Sequence, residues 1–165
     1  MRQPYNVLFI CTGNSARSIL AEALANDPAI GRGVIRGYSA GSHPKDHPNP
    51  FALELLRSRG IPLDGLRSKS WNEFAGPDAP HMDFIITVCD QAAGEACPFW
   101  PGHPVTAHWG LPDPAAVASR DEDTQRAFQE ALLVLQHRIG QLAALPFESL
   151  DSAGVQQHVQ AIGRE

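Results

Sequence analysis

Strands alternating with helices, and a thiol-bearing loop between the first strand and the first helix, predict an α/β fold on a parallel sheet. Three observations carry this expectation. Val7–Ile10 is a short apolar run that ends in a Gly/Ser/Asn loop. Asp83–Val88 (DFIITV) is the clearest buried strand. Apolar residues then recur at helical spacing, as in Phe128, Leu132, Leu135, Ile139 and Leu142, separated by four, three, four and three positions.

The elements follow in order. After Val7–Ile10, the residues Ile19, Leu20, Ala23 and Leu24 form a helical face that Asn26-Asp27-Pro28 ends. Val34 to Ala40 is a second strand, closed by Gly41. Phe51, Leu55 and Leu56 mark a second helix with Gly60 just past its end. A short helix through Trp71 and Phe74 has Ser68 or Ser70 as its cap. Val105 to Trp109 is a fourth, weaker strand, and Leu150, Val155, Val159 and Ile162 suggest a helix at the C-terminal end. Gly76–Pro80 and Pro98–Pro104 read as loops within one domain. We therefore expect one domain over residues 1–145 and a helical extension of it over 146–165.

At 165 residues and 43% hydrophobic content, the chain suits a single core. A net charge of −5 leaves no basic stripe to neutralise phosphates, so a nucleic-acid binder is not expected. The apolar run near the start is too short for a signal peptide or a membrane span, which makes a cytoplasmic location the expectation. Three cysteines are an odd and small number for a disulfide scaffold, and a reducing compartment favours reactive thiols over structural ones.

The chemistry concentrates in Cys11-Thr12-Gly13-Asn14-Ser15-Ala16-Arg17-Ser18. A strand feeding a helix through such a loop points backbone amides inward and adds the helix N-terminus to them. Arg17 supplies a fork of donors, and Gly13 and Asn14 are suited to positive φ. A cysteine at the floor of this cradle is expected to be a thiolate, its pKa drawn down from about 8.5. The implied reaction is nucleophilic attack on a tetrahedral oxyanion.

Cys89 follows another apolar strand, so parallel pairing puts it on the same rim as Cys11. If the two strands are neighbours, their spacing of about 4.8 Å brings the thiols within reach of a disulfide after modest loop movement. Seven small or polar residues, with Gly94 as a hinge, separate Cys89 from Cys97, which suggests a relay of thiol–disulfide exchange. The rival reading is a metal site of Cys89, Cys97, His103 and His108, but these spacings match no usual zinc pattern, and no metal is expected. Asp113-Pro114, in the loop after the fourth strand, is either a turn residue or a general acid on the carboxyl rim of the sheet.

CTGNSARS with Ile19–Glu22, Ser39-Ala40-Gly41, ITVCDQ around Cys89 and HWGLPDPA together resemble the arsenate reductases built on the low-molecular-weight tyrosine phosphatase fold, over roughly residues 5 to 143. The resemblance implies a four-stranded parallel sheet flanked by helices. It implies Cys11 as nucleophile, and Arg17 with the amides of Thr12, Gly13, Asn14, Ser15 and Ala16 as oxyanion binders. It further implies that the Ser18 hydroxyl stabilises the thiolate, that Asp113 is the general acid, and that Cys89 and Cys97 form the relay. No tightly bound cofactor is expected; the electrons come from an external thiol reductant, thioredoxin or glutathione with glutaredoxin. Ala16 stands where many relatives carry a second cysteine. Some relatives bind a monovalent cation near positions matching Asn14, Glu22 and Ser39, whereas Lys69 falls where an acidic ligand is expected.

One cradle serves two reactions. A phosphate monoester would pass its phosphoryl group to Cys11, as in a tyrosine phosphatase working through a phosphocysteine. Arsenate would instead bond to Cys11 and leave as arsenite once a second thiol attacks that sulfur. Resolving thiols matter only for arsenic, and Ala115 replaces the aromatic residue with which tyrosine phosphatases of this fold follow Asp-Pro. Arsenate reduction in arsenic detoxification is thus the expectation, with phosphatase activity as the alternative. A non-catalytic oxyanion- or thiol-sensing module is the minor one.

Overall fold

A computed structural model describes residues 4–89, 104–116 and 120–164. Its strands are β1 (Tyr5–Cys11), β2 (Ile35–Gly41), β3 (Phe84–Thr87) and β4 (Val105–His108). The longer helices are α1 (Arg17–Ala25), α2 (Pro50–Ser58), α3 (Asp121–Ala143) and α4 (Ser152–Ile162). Short 3-10 turns lie at Trp71–Phe74, Pro114–Ala116 and Phe147–Ser149.

The four strands form one parallel sheet in the order β2-β1-β3-β4. β1 is central, and Val7 through Cys11 are buried without alternation, as a strand covered on both faces must be. It pairs with β2 along its whole length, from Tyr5 opposite Ile35 to Cys11 opposite Gly41. On its other side it pairs with β3, from Val7 opposite Phe84 to Ile10 opposite Thr87. The strands thus extend one residue or more beyond the apolar run at β1 and stop one short of the expected bounds at both ends of β3.

α1 packs on β1, β2 and α3, and α3 also meets α2. The apolar stripe of α3 is buried at Phe128, Leu132, Leu135, Ile139 and Leu142, as its spacing predicts. Asp121, Glu122 and Asp123 in its first turn complement the positive end of the helix dipole. Asn26 does end α1, and its side chain then bonds both the amide (2.9 Å) and the carbonyl (3.0 Å) of Gly37 in β2. Asn49 caps α2, and Gly60 at φ +73° follows the last residues of that helix. Of the two candidate caps for Trp71–Phe74, Ser70 accepts from Asn72 N, while Ser68 is used elsewhere. α4 is capped by Asp151, whose side chain accepts from Gly154 N at 2.7 Å; Leu150 precedes the helix and is not part of it. Among the described residues no helix is long and apolar enough to cross a membrane.

Candidate active site

The loop from Cys11 to Arg17 joins β1 to α1 at the carboxyl rim of the sheet. Its conformation is explained by where its carbonyls go. Thr12 O accepts from His43 N at 2.9 Å, Gly13 O from Lys45 N at 2.9 Å and Ser15 O from Asn49 N at 2.8 Å. Asn14 O accepts from Ser68 Oγ at 2.6 Å, and Ala16 O takes the Leu20 amide at 2.9 Å. With these carbonyls turned out to neighbouring segments, the loop is built to present its amides to an anion.

Asn14 takes the positive φ that the loop requires (45°), while Gly13 does not. The strained residue is held at every polar atom of its side chain. Its Oδ1 accepts from Lys69 N at 2.9 Å, and its Nδ2 donates to Ser18 Oγ at 2.8 Å and Ser39 Oγ at 3.0 Å. Ser18 is the second residue of α1, and Ala16 holds the cap position without a side-chain bond. Gly41, at the end of β2, faces the loop so closely that a Cβ would come within 2.5 Å of Thr12 O.

Behind Asn14 lies a buried ion pair. Lys69 Nζ is 3.5 Å from Glu22 Oε1 and donates to Arg67 O at 2.8 Å and Ser39 Oγ at 3.4 Å. Ser39 in turn donates to Glu22 Oε1 at 2.5 Å. Burial pushes the Glu22 carboxyl up and the Lys69 ammonium down, each opposed by the charge of the other. The ammonium stands beside Glu22 and Ser39, two of the positions near which some relatives are expected to bind a monovalent cation, and the backbone amide of Lys69 takes the third, Asn14.

Cys11 lines a cleft of about 520 Å³ with Thr12, Gly13, Ser15, Ala16, Arg17, His43, Lys45, Cys89, Leu111, Pro112, Asp113 and Ala115. Because β1 and β3 are neighbours, Cys89 comes beside Cys11; both thiols are free and buried, and they are hydrogen-bonded to each other. Thr12 Oγ1 also lies 3.6 Å from Cys89 Sγ. The shared hydrogen bond with Cys89, together with burial, pushes the Cys11 thiol up, while Arg17 and the Gly13 amide pull it down. The contact with Cys89 thus works against the thiolate expected of Cys11, and Arg17 with the Gly13 amide works for it.

Arg17 spans the cleft. Nη1 donates to Leu111 O at 2.8 Å, Nη2 is 3.7 Å from Asp113 Oδ2, and Nε is buried with no hydrogen-bond partner among the described residues. Asp113 serves two purposes with two oxygens. Oδ1 accepts from Ala115 N at 2.9 Å and starts the Pro114–Ala116 turn, while Oδ2 faces Arg17. Its side chain is 40% exposed.

Cys97 and His103 lie outside the described residues. His108, the remaining partner of the rival metal reading, bonds Thr87 Oγ1 through Nδ1 at 2.7 Å. Among the described residues no three His, Cys, Asp or Glu side chains are placed to hold a metal. Sequence reasoning did not find the His43–Asn49 segment or the role of Ser68, because they act on the loop through backbone amides and one hydroxyl, which leave no spacing signal.

A cysteine and an arginine six positions on, in a loop between the first strand and first helix of a parallel sheet, define an enzyme fold that handles tetrahedral oxyanions through sulfur. The chain matches the family model for low molecular weight phosphotyrosine protein phosphatase over residues 6–161, and it belongs to that family. It is 34% identical over 138 residues to an arsenate reductase of Bacillus licheniformis, covering 83% of this chain and 94% of the relative. The solved arsenate reductase of Archaeoglobus fulgidus superposes with a TM-score of 0.64 at 25% identity, over 84% of this chain and 99% of that one. A thioredoxin-dependent arsenate reductase of Corynebacterium glutamicum superposes with a TM-score of 0.56 at 26% identity, over 84% of this chain and 60% of that one.

Proposed function

We propose that this chain is an arsenate reductase that transfers two electrons from a pair of thiols to arsenic. The observation that carries the reading is the Cys11–Cys89 thiol pair at the floor of the cleft. A phosphatase needs one sulfur; a second in contact with it supplies a leaving route only for an element with an accessible lower oxidation state.

Arsenate binds the loop amides and the Arg17 guanidinium. Cys11 gives its proton to an oxygen of the bound arsenate dianion and its sulfur attacks arsenic; an As–OH bond breaks, and Asp113 donates the proton with which that hydroxyl departs as water. Cys89, as thiolate, then attacks Cys11 Sγ. The S–S bond forms, the S–As bond breaks, and its electron pair stays on arsenic, which leaves as arsenite. Two thiols have been oxidised and arsenic reduced by two electrons. Cys97 attacks Cys89 and frees Cys11, and an external dithiol, thioredoxin or glutaredoxin with glutathione, reduces the Cys89–Cys97 disulfide. The relation to a thioredoxin-dependent reductase favours thioredoxin.

Phosphatase activity is the second reading, favoured by the family match and opposed by Ala115, which lines the cleft where an aromatic ring would stack on a phenyl ester. The experiment is arsenate-dependent NADPH oxidation with thioredoxin and thioredoxin reductase, or with glutathione, glutaredoxin and glutathione reductase, beside phosphotyrosine hydrolysis. Arsenite release with one of the two systems is expected. Phosphotyrosine turnover without arsenite release would assign the chain as a phosphatase. In Cys89→Ser, arsenite release is expected to stop while slow ester cleavage persists. In Cys97→Ser, mass mapping is expected to find a trapped Cys11–Cys89 disulfide.

A further inference from the structure

The segment from Gly110 to Pro112, which leads from β4 to the turn at Asp113, has no regular structure of its own. Trp109 N still donates to Thr87 O at 2.7 Å, but beyond it Pro112 and Pro114 have no amide to give. The loop's carbonyls are instead held from outside. Arg17 takes Leu111 O, and Arg138, buried in α3, donates Nη1 to Gly110 O at 3.1 Å.

At its root the loop is held by α4. The Trp109 ring is fully buried, tilted against Phe9 at 6.3 Å, and its indole N–H donates to Val159 O at 2.8 Å. Val159 is in the last turn of α4, where a carbonyl has lost its helical donor; Gly163 N bonds Gln160 O instead, and the indole takes the orphan oxygen. Gln156 Nε2 donates to Thr106 O on β4 at 2.5 Å. At Gly163 a Cβ would lie 2.5 Å from both His108 O and Trp109 Cδ1, so the chain passes there without room for a side chain. α4 is thus tied to β4 and its exit at Thr106, His108 and Trp109, four positions before Asp113.

We infer that α4, acting through Trp109, and α3, acting through Arg138, form a clamp that sets the reach of Asp113 toward the cleft. Trp109 and Arg138 are positioning residues: they touch neither substrate nor the reacting sulfurs. The inference rests on the reading of Asp113 as general acid. A carboxyl on a loop without such a clamp would wander, and a displacement of about 1 Å costs up to roughly a hundredfold in rate.

The test is a double-mutant cycle in the full chain with Trp109→Phe, Gly163→Ala and Asp113→Asn. The readout is the single-turnover rate of thiol loss on mixing with arsenate, without reductant. Alkylation of Cys11 by iodoacetamide, and its protection by inorganic phosphate, reports whether the cradle is intact. We expect Trp109→Phe and Gly163→Ala to slow thiol loss by about ten- to a hundredfold with phosphate protection unchanged, and to cost nothing further in the Asp113→Asn background. Wild-type rates in both variants, or losses that multiply with that of Asp113→Asn, would overturn the clamp while leaving the acid in place. Should Asp113→Asn itself react like wild type, the acid reading falls, and the clamp with it. Trp109→Phe keeps an aromatic ring in the core while removing the indole N–H, so the test does not depend on Gly163→Ala folding.

Discussion

At the scale of single residues, the site sorts side chains by what each can hold. Cys11→Ser is expected to abolish arsenate reduction and ester cleavage together, since a serine hydroxyl stays protonated near neutral pH and attacks poorly. Arg17→Lys keeps the charge but loses the planar fork, and phosphate binding measured by calorimetry is expected to weaken strongly. Lys69 gives a sharper case. Lys69→Met leaves Glu22 buried without its cation, which at neutral pH is expected to cost about 3–5 kcal/mol in urea unfolding. The sign of its pH dependence follows from Glu22, whose folded pKa is already raised by burial. A raised folded pKa contributes stability that is present below the unfolded carboxylate value and lost as pH rises through the folded one. The deficit of Lys69→Met against wild type should therefore be small near pH 4 and grow toward pH 8; a deficit constant across that range would show that the two charges are not coupled.

At the scale of elements, the sequence was most legible where one periodicity ruled. The α3 stripe and the apolar runs of β1 and β3 were read from spacing alone, because a half-buried helix and a fully buried strand leave different patterns. The nucleophile loop was legible because few residue types can line such a turn. The influence of Cys89 on the Cys11 thiol was legible only in part: both thiols read as lying on one rim, but their contact across 78 positions depends on β1 and β3 being neighbours. The segment between β2 and α2 was silent: its His43, Lys45 and Asn49 amides act through the backbone, which any residue but proline provides. Gly41 belongs to this scale too. Gly41→Ala would drive a Cβ into the Thr12 carbonyl, and we expect it to weaken phosphate protection of Cys11 while the sheet, followed by circular dichroism, stays folded.

At the scale of the whole molecule, a ligand that binds only the folded cradle must stabilise the entire chain. Phosphate or arsenate at about a hundredfold over its dissociation constant adds roughly 2.7 kcal/mol. Scanning calorimetry should show a rise in Tm of roughly 5–10 °C for a chain of this size, absent in Arg17→Lys. The adjacency of β1 and β3 has a consequence for the same stability. A Cys11–Cys89 bridge would tie together the two middle strands of the sheet across about 80 residues of chain, whereas a Cys89–Cys97 bridge would close a ring of about 10. By loop-closure entropy the first crosslink constrains the unfolded chain more than the second by about 2 kcal/mol. Handing the disulfide outward would therefore exchange a brace of the whole fold for a local ring. On this reading the folded state would gain most from the disulfide while it joins the central strands, and part of that gain would be given up when the disulfide passes to Cys97.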